Sequence, residues 1–381
     1  RYLDTVEPQN AHYRALKSLL RSYREIEANG GWGTVDRGEV LKPGMVDARV
    51  PQLRARLEKS RDISPRSPAD PNLYSDDLVL AFEQFQKRNG LTPDGVIGPN
   101  SLSMLNVSAE ERVRQIIVNM ERWRHMPRDM GDRHLMVNIA AFELYRYEDG
   151  QLMEARPVMV GKDRHKTPIF SDELEYVDIN PTWTVPPTIL RNDVLPAIKR
   201  DIAYLKQKNM KVIDYDHNVV DPTSIDWSRY SGPDFPYLIR QDPGPDNALG
   251  RIKFMFPNKH LVYLHDTPSK ALFERTERAF SSGCIRVENP YQFAELLLDD
   301  PNTWNRRTIT QAIDSQQTRK VTLPRPVTVL LLYWTVAPDD SGDVIFKQDI
   351  YGRDAGILAG LNSELSLNQQ VFSWADRAKA D

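Results

Sequence analysis

The only cysteine of the chain, Cys284, lies in a polar segment of sequence Ser-Ser-Gly-Cys-Ile-Arg. Gly283 permits a tight backbone that leaves the thiol and the adjacent amides exposed. Arg286 adds a positive charge that could favour a thiolate or hold a carboxylate. Upstream, His265 ends a predicted strand, and the chain between the two is long enough for a helix over residues 269–279. This combination is typical of a nucleophilic cysteine with an imidazole base.

The residues alone leave a structural interpretation open. A lone cysteine is more often a small buried apolar side chain than a nucleophile, and a histidine at a strand end often serves only the fold. The glycine and serines beside Cys284 make a poor core, which favours catalysis. The seven histidines and the single cysteine form no CxxC or HExxH pattern, so we expect neither a metal site nor a cofactor.

Two motifs together resemble a known signature. His-Asp-Thr-Pro-Ser-Lys at 265–270 and Ser-Ser-Gly-Cys-Ile-Arg at 281–286 look like the active-site motifs of L,D-transpeptidases, the YkuD-fold family of peptidoglycan cross-linking enzymes. Many members carry a histidine where this chain has Ser282, and the serine variant resembles the large periplasmic YcbB-like enzymes of Gram-negative bacteria. Other matching stretches are VGK and TP within 160–168, NPTW and VPP within 180–187, and NALG at 247–250.

The resemblance implies roles for the residues of this site. Cys284 would be the catalytic nucleophile, its amide would help to stabilise the oxyanion, and His265 would be the base that takes the thiol proton. Asp266 is left out of the catalytic set, because backbone carbonyls often orient such an imidazole. Four further residues are assigned to the oxyanion site and to substrate binding: Gly283, Tyr263, Arg286 and Ser282.

The implied reaction joins two peptidoglycan stem peptides. A donor tetrapeptide stem would acylate the cysteine with loss of its terminal D-Ala, and the side-chain amine of an acceptor stem would then form a 3-3 cross-link. The resemblance also implies a periplasmic location with a removed signal or anchor, cell-wall synthesis proteins as partners, and covalent inhibition by carbapenems. Two alternatives stay open: hydrolysis of the same thioester by an L,D-carboxypeptidase or protein–peptidoglycan amidase, and a non-catalytic wall-binding scaffold.

The elements that would position this site indicate an α+β fold. Strands are predicted at 134–147, 152–160, 176–179, 251–256, 261–265 and 327–334. They cluster instead of alternating with helices, and the pair Asp149-Gly150 predicts a hairpin. We expect a mainly β YkuD-like catalytic domain over 131–336. A helix near 192–208 and a Pro- and Gly-rich loop at 221–247 would form an inserted capping subdomain over about 190–250, with the loop as a candidate lid.

Helical patterns dominate the first third of the chain. Apolar residues recur at helical spacing in 1–41, which we interpret as part of a helical scaffold, and again in a connecting helix within 108–130. Between them, 42–107 forms a small three-helix module. Its sequences FEQFQ, NGL and DGVIGP resemble a type 1 peptidoglycan-binding domain, although scaffold-only use of the module stays open. We assign 337–381 to a C-terminal tail or scaffold segment.

Composition excludes several classes of protein. The 381 residues favour two or three domains. Lys and Arg total 50 against 53 for Asp and Glu, so no basic excess is left to neutralise nucleic-acid phosphates. No apolar run approaches the ~20 residues of a membrane-spanning helix. A single cysteine rules out an intrachain disulfide.

Overall fold

The structure, a computed structural model, describes residues 8, 10–127, 129–338 and 343–363. The chain forms two compact units, one drawn from 1–127 together with 334–381 and the other from 128–333. The first unit is therefore built from both ends of the chain, and the second is inserted between them. The predicted domain limits stay predictions. Within the described residues, no helix has the length and apolar character needed to cross a membrane.

The helices of the first unit form where apolar residues recur every three or four positions. The first begins at Asn10, whose side chain accepts a hydrogen bond from the Tyr13 amide, and the fifth begins with a reciprocal capping box between Ser108 and Glu111. The helices of this unit span Ala11–Ala28, Val50–Lys59, Asp76–Arg88, Pro99–Leu105, Ala109–Arg124 and Asp354–Asn362.

The second, third and fourth of these helices share one apolar core. The turn at Asp94-Gly95 closes this module, because the buried Gln86 side chain donates to Asp94 Oδ1 at 2.8 Å and accepts from the Gly95 amide at 2.9 Å. The Tyr74 hydroxyl donates to the Gly95 carbonyl at 2.8 Å. Gly95 has a φ of 69°, so a side chain there would be strained. The three-helix module predicted from the sequence is confirmed.

The last part of the chain returns to the first unit. Trp334 is buried and stacks on Trp123 with ring centroids 4.3 Å apart. Asn119 donates to the Thr335 hydroxyl at 2.7 Å, and the Arg122 guanidinium forms a 2.7 Å ion pair with Asp354. These contacts tie the Ala109–Arg124 helix to the segment that follows the second unit.

The second unit is built on a nine-stranded mixed sheet in the order β11-β3-β12-β10-β9-β4-β13-β1-β2, and an added β2–β3 pairing closes it. Asp149 and Gly150 both have positive φ and make the predicted β2–β3 hairpin turn. The strands of this unit are β1 Arg133–Asn138, β2 Glu143–Glu148, β3 Gln151–Gly161, β4 Phe170–Ile179, β5 Trp183–Thr184, β6 Met210–Ile213, β7 Val219–Val220, β8 Leu238–Gln241, β9 Ile252–Met255, β10 Leu264–His265, β11 Ala279–Ser281, β12 Ile285–Val287 and β13 Arg319–Leu332. The first unit carries a separate two-stranded sheet of β14 Val336–Pro338 and β15 Val344–Phe346.

Two helices cover one part of this sheet, at Pro290–Leu298 and Arg306–Asp314. Phe293 on the first is fully buried and packs against Phe254 of β9, with ring centroids 4.9 Å apart. The mixed helix and sheet content and the sheet-rich second unit confirm the α+β class expected from the clustered strands.

The predicted helix over 269–279 is wrong. The chain forms only a short 3-10 turn at Lys270–Glu274 and is then extended into β11. The edge of β3 recruits this segment, since the Val160 amide donates to the Arg278 carbonyl at 2.9 Å and Ala279 pairs with Val160. A sheet edge with free amides outweighs the weak helical preference of the sequence.

The segment between β5 and β8 is an inserted subdomain with its own core. Its sheet has the order β5-β8-β6-β7, so the predicted loop at 221–247 contains a strand. The predicted helix near 192–208 is broken, because the backbone at Asp201 is extended. The short helices span Pro187–Ile189, Leu195–Arg200 and Ala203–Gln207. A π-helical turn at Leu190–Val194 lies between the first two of these helices. Apolar residues from the helical segments, the strands and the loops pack together, including Val194, Ile198, Val212, Phe235 and Ile239.

Candidate active site

The loop before β12 presents Cys284, and hydrogen bonds fix its shape. Gly283 has a φ of 119°, a conformation that side chains other than hydrogen rarely allow. The Ser281 hydroxyl accepts from the Gly283 amide at 3.0 Å and donates to the Cys284 carbonyl at 2.5 Å. Buried Thr167 donates to the Gly283 carbonyl at 2.8 Å. The loop is thus held from within by one serine and from outside by one threonine.

A second glycine makes room for this loop. A Cβ at Gly161, the last residue of β3, would lie 1.9 Å from the His165 carbonyl oxygen and 3.1 Å from Gly283 Cα. The Gly161 amide donates to Thr167 Oγ1 at 2.9 Å, so Thr167 connects the end of β3 to the cysteine loop. The stretch of VGK and TP noted in the sequence therefore serves to support the cysteine.

His265 ends β10 and is buried. Its Nδ1 lies 2.5 Å from the Asp266 carbonyl oxygen, which assigns the ring hydrogen to Nδ1 and leaves Nε2 as a proton acceptor. Burial and, to a lesser extent, the charge of Arg286 lower the pKa of His265 to about 3, against the opposing effect of the Asp266 and Leu249 carbonyls. The imidazole is therefore neutral at physiological pH.

The Asp266 carboxylate serves the fold rather than the imidazole. It accepts hydrogen bonds from the backbone amides of Arg251 at 2.8 Å and Thr267 at 2.7 Å, and it forms an ion pair with Lys270. Gly250 has a φ of 64°, and a Cβ there would lie 2.4 Å from the carboxyl carbon of Asp266. The carbonyl of Asp266, and not its carboxylate, orients His265.

The thiol of Cys284 is half-buried, with Sγ 3.8 Å from the Leu261 carbonyl oxygen. Burial raises the pKa of Cys284 above the usual 9.0 of a thiol. Hydrogen bonds from the backbone and phenol of Tyr263, followed by the charges of Lys253 and Arg286, oppose this shift of the cysteine pKa. The resting site thus pairs a neutral thiol with a neutral imidazole.

Arg286 follows the cysteine on β12 and is half-buried. Burial lowers its pKa, and the nearby Cys284 opposes that shift. Its Nε is buried without a hydrogen-bond partner among the described residues. A guanidinium in this position can still bind a carboxylate that enters the site.

A cleft of about 710 Å³ opens above these residues. One wall comes from the nine-stranded sheet and the other from the inserted subdomain, which contributes the aromatic residues Trp183, Tyr215, Phe235 and Tyr237. Leu261 stands at the mouth, 78% exposed and with a φ of 55°, an unusual conformation for leucine. The cleft therefore combines an apolar, aromatic wall with a polar floor that carries the thiol and the imidazole.

The structure brings most of the predicted site residues together. Five of the six line this cleft: Cys284, His265, Tyr263, Arg286 and Ser282. Gly283 supports the loop, and its amide is engaged by Ser281, while the Cys284 amide has no protein acceptor among the described hydrogen bonds. The catalytic and binding roles stay predictions.

Several residues of this site were missed by sequence reasoning. Ser281 and Thr167 lay inside the quoted motifs, but nothing in their type distinguished them from other hydroxyl residues. Lys253 lay outside every motif, and only strand pairing places it beside His265. Across the described residues, no group of three His, Cys, Asp or Glu side chains is arranged to hold a metal ion.

Residues 132–320 match the family model described as "L,D-transpeptidase catalytic domain", and residues 46–105 match that described as "Putative peptidoglycan binding domain". A curated relative from Haemophilus influenzae, described as "Putative L,D-transpeptidase", is 37% identical over 262 residues. That alignment covers 68% of this chain and 52% of the relative, so the chain spans about half the length of that protein.

Two solved structures are also similar to this chain. The L,D-transpeptidase from Stackebrandtia nassauensis has a TM-score of 0.27 and 14% identity, covering 78% of this chain and 96% of that one. The L,D-transpeptidase from Xylanimonas cellulosilytica has a TM-score of 0.24 and 16% identity, covering 78% and 99%. The two family models and the curated relative carry the assignment, and by them the chain belongs to the L,D-transpeptidase family, with a YkuD catalytic domain and a peptidoglycan-binding domain.

Proposed function

We propose that this protein is a cysteine-dependent L,D-transpeptidase that forms 3-3 cross-links between peptidoglycan stem peptides. The observation that carries the proposal is the placement of the Cys284 thiol and the His265 imidazole in one cleft, with Tyr263 hydrogen-bonded to the thiol. Family membership supplies the class of reaction, and the peptidoglycan-binding domain supports the class of substrate. Because peptidoglycan stem peptides are the proposed substrates, we propose that the protein acts in the periplasm. It would act there beside cell-wall synthesis proteins and would contribute to cell shape.

In the first step, His265 Nε2 takes the Cys284 proton as the sulfur attacks the carbonyl carbon between the third residue and the terminal D-Ala of a donor tetrapeptide. The negative charge that develops on the carbonyl oxygen is stabilised by the Cys284 amide and the Tyr263 hydroxyl. The carbon–nitrogen bond then breaks, the imidazolium returns its proton to the leaving amine, and D-Ala departs. The stem remains attached as a thioester.

In the second step, the side-chain amine of an acceptor stem attacks the thioester carbon. His265 accepts the amine proton, the new amide forms, and the sulfur leaves and regains a proton. Arg286 has no protein carboxylate as a partner among the described ion pairs, so a stem carboxylate is its proposed ligand, with exposed Ser282 beside it. The aromatic cap residues would hold the acceptor and limit the access of water to the thioester.

Hydrolysis is the competing reaction of the same intermediate. Water in place of the acceptor amine would give an L,D-carboxypeptidase, and attack on a different wall linkage would give a protein–peptidoglycan amidase. A third alternative is a wall-binding scaffold without turnover. The capped cleft favours transfer, because a walled site can retain an amine acceptor while it limits bulk water.

The test is incubation of the protein with tetrapeptide-stem muropeptides, followed by mass spectrometry of the products. We expect a cross-linked dimer together with free D-Ala. D-Ala without a dimer would assign hydrolysis, and no product at all would favour the scaffold. Cys284→Ala should reduce turnover by at least about 10³-fold, because no other thiol is present. Activity retained in that variant would contradict the nucleophile assignment.

Covalent inhibition by carbapenems is a second expected outcome. A strained β-lactam carbonyl is an acyl donor that resembles the peptide carbonyl of the stem, and a thiolate can open it to form a stable thioester. We expect an intact-mass increase equal to one carbapenem molecule in the wild type and none in Cys284→Ala. An adduct on the Cys284→Ala protein would place the reactive group elsewhere.

A further inference from the structure

A row of polar side chains crosses the sheet at the level of His265. Strand pairing sets Arg286 of β12 opposite His265 of β10, His265 opposite Lys253 of β9, Lys253 opposite Asp178 of β4, and Asp178 opposite Lys320 of β13. Facing residues on paired strands project from the same side of a sheet. The neutral imidazole therefore has a cation on each side, and one of them, Lys253, has no role in the mechanism given above.

The ammonium of Lys253 contacts an aromatic ring instead of a carboxylate. Its Nζ lies 4.2 Å from the centre of the Tyr263 ring, within the range of a cation–π interaction. No ion pair within 4.0 Å joins Lys253 to Asp178 or to another acid in the described part of the chain. Lys253 is only half-buried, so its aliphatic part also packs beside the ring.

Tyr263 connects this lysine to the nucleophile. Its phenol and its backbone amide both face the thiol of Cys284, and its ring meets the His265 ring edge to face at 5.8 Å. The Ile285 amide donates to the Tyr263 carbonyl at 3.0 Å, which fixes the backbone but leaves the side-chain torsions to packing. The position of the ring therefore decides whether the phenol reaches the sulfur.

We propose that Lys253 is a positioning residue that holds the Tyr263 ring so that its phenol is aimed at Cys284. The ammonium lies against one face of the ring, while the edge-to-face contact with His265 restrains it from another side. This inference rests on the proposed function only in taking Cys284 as the reactive group. It adds a residue outside every sequence motif to the catalytic cleft.

Charged and titratable groups face the thiol from three strands and from the rim of the cleft. Lys253 comes from β9, Tyr263 and His265 come from β10 and the residues before it, and Arg286 comes from β12. Two more histidines line the cleft, His165 and His260. A substitution at Lys253 alone leaves all of these other groups in place. A change in the reactivity of the Cys284 thiol in that variant is therefore caused by the loss of the lysine.

The test measures the rate of Cys284 alkylation by iodoacetamide between pH 7 and 9 in the full chain. Lys253→Met keeps most of the side-chain volume and removes the charge, and we expect the rate at pH 7 to fall about fivefold. Lys320→Met is the matched control, because Lys320 makes the same kind of contact, 3.7 Å from the Tyr176 ring centre, on a strand away from the cleft. We expect its alkylation rate to equal that of the wild type.

A double-mutant cycle separates positioning from a direct effect of charge. Tyr263→Phe keeps the ring and removes the hydroxyl, so Lys253→Met should cost little in that background. An equal loss in both backgrounds would overturn the positioning role. Lys253→Arg should restore at least half of the wild-type rate, because a guanidinium also stacks on aromatic rings, and failure to do so would count against the inference.

These measurements need no stem peptide, so their outcome is independent of the transpeptidase assay. Normal muropeptide turnover by the wild type together with an unchanged alkylation profile in Lys253→Met would reject the lysine and keep the proposed function. An altered alkylation profile in Lys253→Met, together with no muropeptide turnover by the wild type, would support the role of the lysine and reject the proposed function. Melting temperatures within a few degrees of the wild type would confirm that the variants are folded.

Discussion

Cys284 and His265 owe their chemistry to what surrounds them rather than to their residue types. The thiol is half-buried and neutral, and the imidazole is kept neutral by burial and by a neighbouring guanidinium. The site therefore lacks a preformed thiolate–imidazolium pair. In the proposed mechanism, such a neutral resting pair would protect the thiol until a substrate carbonyl is in place, because proton transfer would then be coupled to attack.

The neutral imidazole predicts how stability depends on pH. Unfolded His265 binds a proton near its ordinary pKa of 6.5, whereas in the folded chain that pKa is lowered to about 3. Between these values the unfolded state binds more protons, so the free energy of unfolding falls as the pH drops below 6.5. From pH 7 to pH 5 we expect a loss of about 2 kcal/mol from this residue alone.

Urea unfolding of the wild type and of His265→Gln at the two pH values measures this loss. Glutamine does not titrate, so the variant should lose about 2 kcal/mol less than the wild type over the same interval. The other titrating groups are common to both proteins and cancel in the comparison. Equal losses in the two proteins would contradict a buried neutral imidazole.

At the scale of elements, the site depends on close approaches between loops that no single motif describes. β3 ends at Gly161 against the loop of Cys284, with Thr167 bridging them. The sequence marks these positions as glycine and threonine but does not show that they meet. The predicted helix over 269–279 failed for the same reason, since an unpaired edge of β3 was invisible in the sequence.

Gly161→Ala tests this packing. The added methyl would overlap the His165 carbonyl, so the loop that carries Cys284 must move. We expect a loss of about 2–4 kcal/mol in the free energy of unfolding and a fall in the rate of thiol alkylation. Gly244→Ala is the matched control, because the nearest atom to its Cβ is 3.8 Å away, and it should change stability by less than ~0.5 kcal/mol. Similar losses in both variants would dismiss the proposed packing role.

At the scale of the whole molecule, segments from both ends of the chain build one unit, and the other unit is formed by the residues between them in the sequence. The returning segment after 333 packs its first residue, Trp334, on Trp123 of the Ala109–Arg124 helix. Residues that precede and follow the second unit therefore support each other, although more than two hundred residues separate them in the chain. From the sequence we predicted that Trp334 ends a strand of the catalytic domain. Its packing against the Ala109–Arg124 helix of the first unit could not be predicted from the sequence.

Trp334→Ala should lower the free energy of unfolding of the first unit by about 3–5 kcal/mol, because it removes a stacked, buried ring. Hydrogen exchange followed by mass spectrometry localises the effect. We expect faster exchange in the Ala109–Arg124 helix and unchanged exchange in β4 and β13 of the second unit. Equal acceleration in both units would show that they unfold together.

The sequence by itself determined the fold class, the hairpin at Asp149-Gly150, the three-helix module and the identity of the candidate thiol and imidazole. These features depend on local turn chemistry, periodicity and short motifs, which the order of residues carries directly. Only the tertiary structure decided that a backbone carbonyl orients His265 and that Lys253 stands beside it. Those relations arise from strand register and from contacts between distant segments, and neither is encoded in the spacing of residues along the chain.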